Sequence, residues 1–150
     1  MNGPLPLPVL AASDLVVRHG QLTAVRDVSI DVRAGEVFAV VGANGAGKST
    51  LLRTLAGLHR VVAGRITLDG EDITRLSTDQ RVRRGVVLVP EGRRLFSSMT
   101  IEENLLVGAA NGRPGNWNVD RIYDMFSWMR DRRHEKTIHL SGGEQQVVAI

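Results

Sequence analysis

The sequence contains no cysteine, and Lys48 and Lys136 are its only lysines. Without a thiol there is no disulfide framework, no thiolate metal site and no sulfur nucleophile, which fits a reducing compartment. Aromatic residues make up 4% of the chain, too few for the stacking platforms that grip single-stranded nucleic acid. No apolar run approaches the roughly 20 residues that span a bilayer. The N-terminal stretch is mildly apolar, but it lacks a basic leader and is broken by Pro4, Pro6 and Pro8. Residues 1–13 therefore read as an extended lead-in, not a signal peptide. The net charge of +3 is an arginine effect. Because the arginines are interleaved with acids, they read as a solvated surface, with one dense cluster at Arg81, Arg83, Arg84, Arg93 and Arg94. With 150 residues, 43% of them hydrophobic and 23% charged, the chain has the proportions of one globular domain.

Hydrophobic periodicity lays out the elements. Leu15-Val16-Val17 reads as a short strand, and Val28, Ile30 and Val32 alternate with polar neighbours as in a half-buried antiparallel strand. After the turn Ala34-Gly35, Val37–Val41 is apolar on both faces, the pattern of a parallel strand covered on both sides. Leu51, Leu52, Leu55 and Leu58 mark one face of a helix. Arg65–Leu68 and Asp72-Ile73 flank the turn Asp69-Gly70, a hairpin signal. Ser77 with Gln80 and Thr100 with Glu103 make capping boxes for helices running through Arg84 and from Ile101 to Ala109. Val86–Val89 reads as a second buried strand, and residues 111–118 as a loop. Val119, Ile122, Phe126 and Met129 recur at helical spacing and are assigned to core packing.

Chemistry is concentrated at Gly42-Ala43-Asn44-Gly45-Ala46-Gly47-Lys48-Ser49-Thr50. This is the phosphate-binding pattern G-x-x-x-x-G-K-[ST], placed after an apolar strand and before a helix as the pattern requires. Glycines let successive backbone N–H groups turn inward on phosphates, and the helix adds its positive end. Lys48 is expected to reach the β and γ phosphates and the Ser49 hydroxyl to ligate Mg²⁺. The second segment is Leu140-Ser141-Gly142-Gly143-Glu144-Gln145-Gln146. Ser141 and Glu144 make a capping box for a helix. A serine and two glycines at a helix N-terminus also suit an anion. Capping accounts for neither Leu140 nor the glutamine pair.

Together the two segments resemble the ATP-binding-cassette (ABC) ATPases. Val89-Pro90-Glu91-Gly92-Arg93-Arg94-Leu95-Phe96, then Met99–Leu105 and Asp131-Arg132-Arg133-His134, resemble the ATP-binding subunits of branched-chain amino-acid importers. The resemblance runs from about Asp14 to Ile150. It implies an α/β P-loop NTPase fold with N-terminal antiparallel strands, a partial parallel core and a helical signature subdomain over about 100–146, within an ATP-binding domain 14–150. It implies ATP and Mg²⁺ as cofactors and a head-to-tail dimer, homo- or heterodimeric. In that dimer Ser141, Gly142, Gly143 and Glu144 face nucleotide held by the other subunit's loop of Gly42, Asn44, Gly45, Ala46, Gly47, Lys48, Ser49 and Thr50. His19 falls where the family places an aromatic residue against adenine, although an exposed loop histidine fits there too. Glu91 falls at the family's Mg²⁺-sensing position, where a solvated acid following Pro90 is the alternative. Glu91–Phe96 resembles the surface that meets transmembrane permease subunits. Through these a periplasmic substrate-binding protein is an indirect partner, with the chain on the cytoplasmic face of the membrane.

The family's Mg²⁺-binding aspartate, catalytic glutamate and switch histidine follow the signature helix, and no residues of the chain match them. His134 and His139 precede it. The chain is therefore expected to be a C-terminally truncated cassette that binds ATP without a catalytic residue of its own. Val37–Val41 is then expected to lack its neighbouring strand. The alternatives are a non-catalytic nucleotide-binding fragment and, less favoured, an ABC ATPase that handles nucleic acid.

Overall fold

β1 (Leu10–His19) and β2 (Leu22–Val32) pair antiparallel around a tight turn at Gly20-Gln21. A computed structural model describes residues 7–110 and 115–150. Pro4, Pro6 and the first part of the expected loop 111–118 lie outside these. Two compact units, Met1–Leu88 and Val89–Ile150, divide the chain.

In the first unit, β3 (Ala63–Leu68) pairs with the other edge of β1, and the short β4 (Glu71-Asp72) completes an antiparallel sheet of order β2-β1-β3-β4. β1 begins at Leu10, ahead of the expected Leu15–Val17, because Leu10 and Ala12 find partners on both neighbouring strands. The β3–β4 turn is the expected Asp69-Gly70, with both residues at positive φ, 49° and 82°, as a two-residue hairpin turn demands. α1 (Lys48–Leu55) packs Leu51 and Leu55 onto Leu15, Val17, Val25, Ile66 and Ile73. Each fully buried side chain of this size contributes about 1.5–3 kcal/mol. The expected face of α1 is narrower than the leucine pattern. Leu52 lies about 100° around the helix from Leu51 and is exposed, while Leu58 falls beyond the last turn and is also exposed. Thr54 takes the buried place, its hydroxyl donating to the Thr50 carbonyl at 2.7 Å.

The two stretches expected to be parallel strands differ from that reading. Val37–Val41 and Val86–Val89 join no ladder among the described residues. A strand exists only where a neighbour takes up its N–H and C=O groups. Val37 is 96% and Val41 88% exposed.

α2 (Thr78–Arg83) follows the expected Ser77–Gln80 capping box. Arg81 corrects the reading of the arginine cluster. It is 1% exposed and donates to the carbonyl oxygens of Thr54, Leu55, Thr74 and Leu76. Burial lowers its pKa from the ordinary guanidinium value.

In the second unit, α3 (Ile101–Ala109) starts at the Thr100–Glu103 capping box, as expected. The N–H groups of Ile101 and Glu102 donate to the carbonyls of Glu135 and Arg133. The helical repeat from Val119 to Met129 is broken at Phe126 into α4 (Val119–Met125) and α5 (Ser127–Asp131). Its apolar positions still pack with Ile101, Tyr123, Leu140 and Val148. A 3-10 turn at Thr137–His139 leads into α6 (Gly142–Ala149).

Candidate functional site

One candidate site is the glycine loop in the first unit. Asn44 and Gly45 form a turn, Ala46 donates to the Ala43 carbonyl at 3.2 Å, and Gly47 caps α1 at φ 91°. A Cβ on Gly47 would lie 2.3 Å from the Ala24 carbonyl oxygen, so this position admits no side chain beside β2. The Lys48 ammonium donates to the carbonyls of Gly42 at 2.6 Å and Ala43 at 2.7 Å, drawing its own loop into a closed curl. Ser49 and Thr50, half-buried, complete the first turn of the helix.

The N-terminus of α1 differs from those of α2, α3, α4 and α6 in how its donors are met. α2, α3, α4 and α6 each have a side chain accepting from the first turn, whereas Gly47 provides none and no acid stands in that turn of α1. The first N–H groups of a helix have no partner within the helix and carry its positive end. Curled glycines, a lysine and a helix start without a side-chain cap make a cradle for a polyphosphate.

His19 ends β1. Its ring meets that of His59 edge to face, with centroids 4.7 Å apart. Partial burial, then the charges of His19 and Arg53, lower the His59 pKa. His59 went unnoticed in the sequence because no spacing rule links it to His19.

A separate candidate segment lies in the second unit. Ser141 accepts from the Glu144 N–H at 3.3 Å, and one Glu144 carboxylate oxygen accepts from the Ser141 N–H at 2.7 Å. The other Glu144 oxygen accepts from Arg132, which also grips Glu135 through two guanidinium nitrogens at 2.7 and 2.9 Å. Hydrogen bonds from Ser141, then the Arg132 guanidinium, hold the Glu144 carboxyl below its usual range, and Arg132 does the same to Glu135. These carboxylates raise the Arg132 pKa in return. Leu140, unexplained by capping, is a buried core residue. Gln145 is explained too: its amide nitrogen donates to the carbonyls of Thr137 and Leu140, and its oxygen accepts from Arg93. Gly142 and Gly143 are exposed at the start of α6, and Glu91 is exposed just after Pro90.

The sequence profile of the ABC transporter family matches residues 25–150. The chain belongs to the ABC transporter family. Over 134 residues this cassette is 40% identical to the high-affinity branched-chain amino acid transport ATP-binding protein BraG of Pseudomonas aeruginosa, a match covering 88% of the chain and 58% of BraG. It is 36% identical to the probable branched-chain amino acid transport ATP-binding protein LivF of Archaeoglobus fulgidus, covering 88% and 57%. It is also 36% identical to the putrescine transport ATP-binding protein PotG of Escherichia coli, covering 95% and 38%. The chain thus spans little more than half the length of the branched-chain relatives it matches.

Among solved structures, a nucleotide-free ATP-binding cassette from an ABC transporter superposes with a TM-score of 0.82 at 27% identity, over 95% of this chain and 63% of that one. The ADP conformation of another cassette gives 0.78 at 26% identity, over 96% and 63%. The α/β cassette fold holds on this ground. At the level of the family, ABC ATPases bind and hydrolyse ATP. Among the described residues, no helix is long and apolar enough to cross a membrane.

Proposed function

We propose that this cassette is the ATP-binding part of an importer subunit for branched-chain amino acids, with Gly42–Thr50 holding the nucleotide phosphates. The observation that carries the reading is the α1 N-terminus, wrapped by left-handed glycines and without a side-chain cap. A lysine ammonium has three donors. Two of those on Lys48 keep the loop curled, which leaves the third for a phosphate oxygen. Gly42, Asn44, Gly45, Ala46, Gly47 and Thr50 surround the phosphates, and His19 packs against the base. Mg²⁺ is held by few protein oxygens and completes its octahedron with phosphate and water. The Ser49 hydroxyl in the first unit and the Glu91 carboxylate in the second are each a donor of that kind. A bound cation would supply charge neutralisation to the phosphates.

In a head-to-tail pair, Ser141, Gly142, Gly143 and Glu144 meet the nucleotide of a second ATP-binding subunit. Glu91–Phe96 meets a transmembrane permease, which places the cassette at the inner face of the membrane and serves an external substrate-binding protein. The similarity to BraG and LivF supports the amino-acid assignment. Among the described residues no apolar strand ends in paired acids, and binding without turnover is expected, with no direct role for nucleic acid.

Thermal unfolding with and without Mg-ATP tests the reading. Ligand at 100 times Kd adds about 2.7 kcal/mol. Lys48→Ala is expected to abolish that gain. A chain that is not stabilised by Mg-ATP, or whose stabilisation survives the substitution, refutes the assignment. Phosphate release by the isolated chain would overturn binding without turnover.

A further inference from the structure

Arg93 belongs to a closed ring of hydrogen bonds within the second unit. Its Nη1 donates to Oε1 of Gln145 at 3.1 Å. The Gln145 amide nitrogen donates to the Thr137 carbonyl at 3.0 Å and the Leu140 carbonyl at 3.2 Å. This leaves its oxygen to face the guanidinium, which has donors only. Thr137, itself buried, donates its hydroxyl to the Phe96 carbonyl at 3.1 Å. Phe96 stands three residues after Arg93, and the ring closes there.

The two ends of this segment are fixed differently. The backbone of Phe96 is clamped by Asn104 of α3, which accepts from its N–H at 2.9 Å and donates to its carbonyl at 3.1 Å. Upstream, Gly92, Arg93 and Arg94 take φ values of 77°, 62° and 51°, a left-handed run that side chains disfavour. That run turns the Arg93 guanidinium onto the start of α6. A Cβ on Gly142 would lie 3.1 Å from Arg93 Nη2. The guanidinium therefore rests against the first residue of α6 and is bonded to the fourth. Phe96 is the pivot and Arg93 the arm.

We propose that Arg93 is a positioning residue that ties the first turn of α6 to Glu91–Phe96, so that displacing this segment shifts Ser141 and Gly142. The proposal rests on the reading above, in which Glu91–Phe96 meets a permease and Ser141 and Gly142 face nucleotide. A charge-assisted hydrogen bond carries the link, and such bonds are about twice as strong as neutral ones. The link is formed by one side chain of the segment and one of the helix, so it can be released without unfolding either.

Hydrogen exchange at the Glu144 and Gln145 amides, which donate to the Ser141 side chain and carbonyl, and Mg-ATP-driven self-association, both measured on the whole 150-residue chain, test it. In Arg93→Ala the two amides are expected to exchange about tenfold faster, the loss of one charge-assisted bond. Self-association should weaken by a similar factor, while Mg-ATP affinity of the monomer stays at its wild-type value and the urea midpoint falls by no more than the loss of that one bond. Arg93→Lys should recover part of both effects, since an ammonium also donates to Oε1 of Gln145. Unchanged exchange at these amides, or unchanged self-association, overturns the positioning role. A wild-type chain that binds Mg-ATP and stays monomeric overturns the reading of Ser141 and Gly142, and with it the transmitted effect. The exchange measurement tells the two failures apart.

Discussion

Arg81 closes the end of the helix that Lys48 begins: its Nη1 donates to the carbonyl oxygens of Thr54 and Leu55, each at 2.7 Å. A cation at this end also suits the helix dipole. The helix behind the glycine loop is thus held at its far end by a guanidinium drawn from outside the motif.

Replacing Arg81 should be costly. Arg81→Ala leaves the carbonyls of Thr54, Leu55, Thr74 and Leu76 without this donor, and an unsatisfied buried polar group costs about 1–3 kcal/mol. A urea-unfolding loss of about 3 kcal/mol or more is expected. Arg81→Lys, with one nitrogen in place of three, should recover less than half. A loss under about 0.5 kcal/mol, the range of inconsequential surface changes, would contradict this account.

Gly47 and Gly45 should separate cleanly. Both have positive φ, 91° and 82°. A Cβ at Gly47 would meet the Ala24 carbonyl oxygen at 2.3 Å, while at Gly45 it meets nothing within 4 Å. Gly45→Ala is expected to cost about 1 kcal/mol of backbone strain. Gly47→Ala adds a clash, with Mg-ATP affinity falling at least about tenfold, or 1.4 kcal/mol. Equal effects of the two in a binding titration would exclude β2 as the wall behind the loop.

The second unit should weaken in acid. The Glu144 and Glu135 carboxyls titrate below their usual range in the fold, because Ser141 and Arg132 stabilise the charged forms. Their contribution is complete above the unfolded carboxyl pKa, about 4.3, and is lost as pH falls from there through the folded values. Arg132→Leu lets both folded pKa values rise. Stability at pH 7 should then drop and its fall between about pH 4 and pH 2 should flatten. Urea midpoints across this range, measured for both chains, decide it.

Tyr123 offers an opposite sign. Its hydroxyl is buried with no hydrogen-bond partner among the described residues, and burial is the main cause raising its pKa. Tyr123→Phe removes a desolvated polar atom and keeps the ring in its cluster. A gain of about 0.5–1 kcal/mol is expected. A loss larger than 1 kcal/mol would mean that the hydroxyl is bonded in solution.

Local chemistry was the legible part of the sequence. Three capping boxes, the Asp69-Gly70 turn and the glycine loop stand where residue type alone places them, because each is decided by neighbours within a few positions. Interactions between distant positions were not legible. Arg81 looked like one more surface arginine because its four acceptors are carbonyls, which carry no residue identity. Arg93 and Gln145 are 52 residues apart, and only the unexplained glutamine pair hinted that a partner existed. Val37–Val41 has the composition of a strand, but composition does not supply the neighbour that makes it one.

That last segment has a consequence at the scale of a solution. Val37–Val41, apolar and largely uncovered, presents a β-branched strip without a ladder partner among the described residues, the kind of surface on which separate chains pair edge to edge. How long such a chain stays dispersed then depends on how many copies are near it, and dilution protects it in a way that tighter folding of its existing core does not.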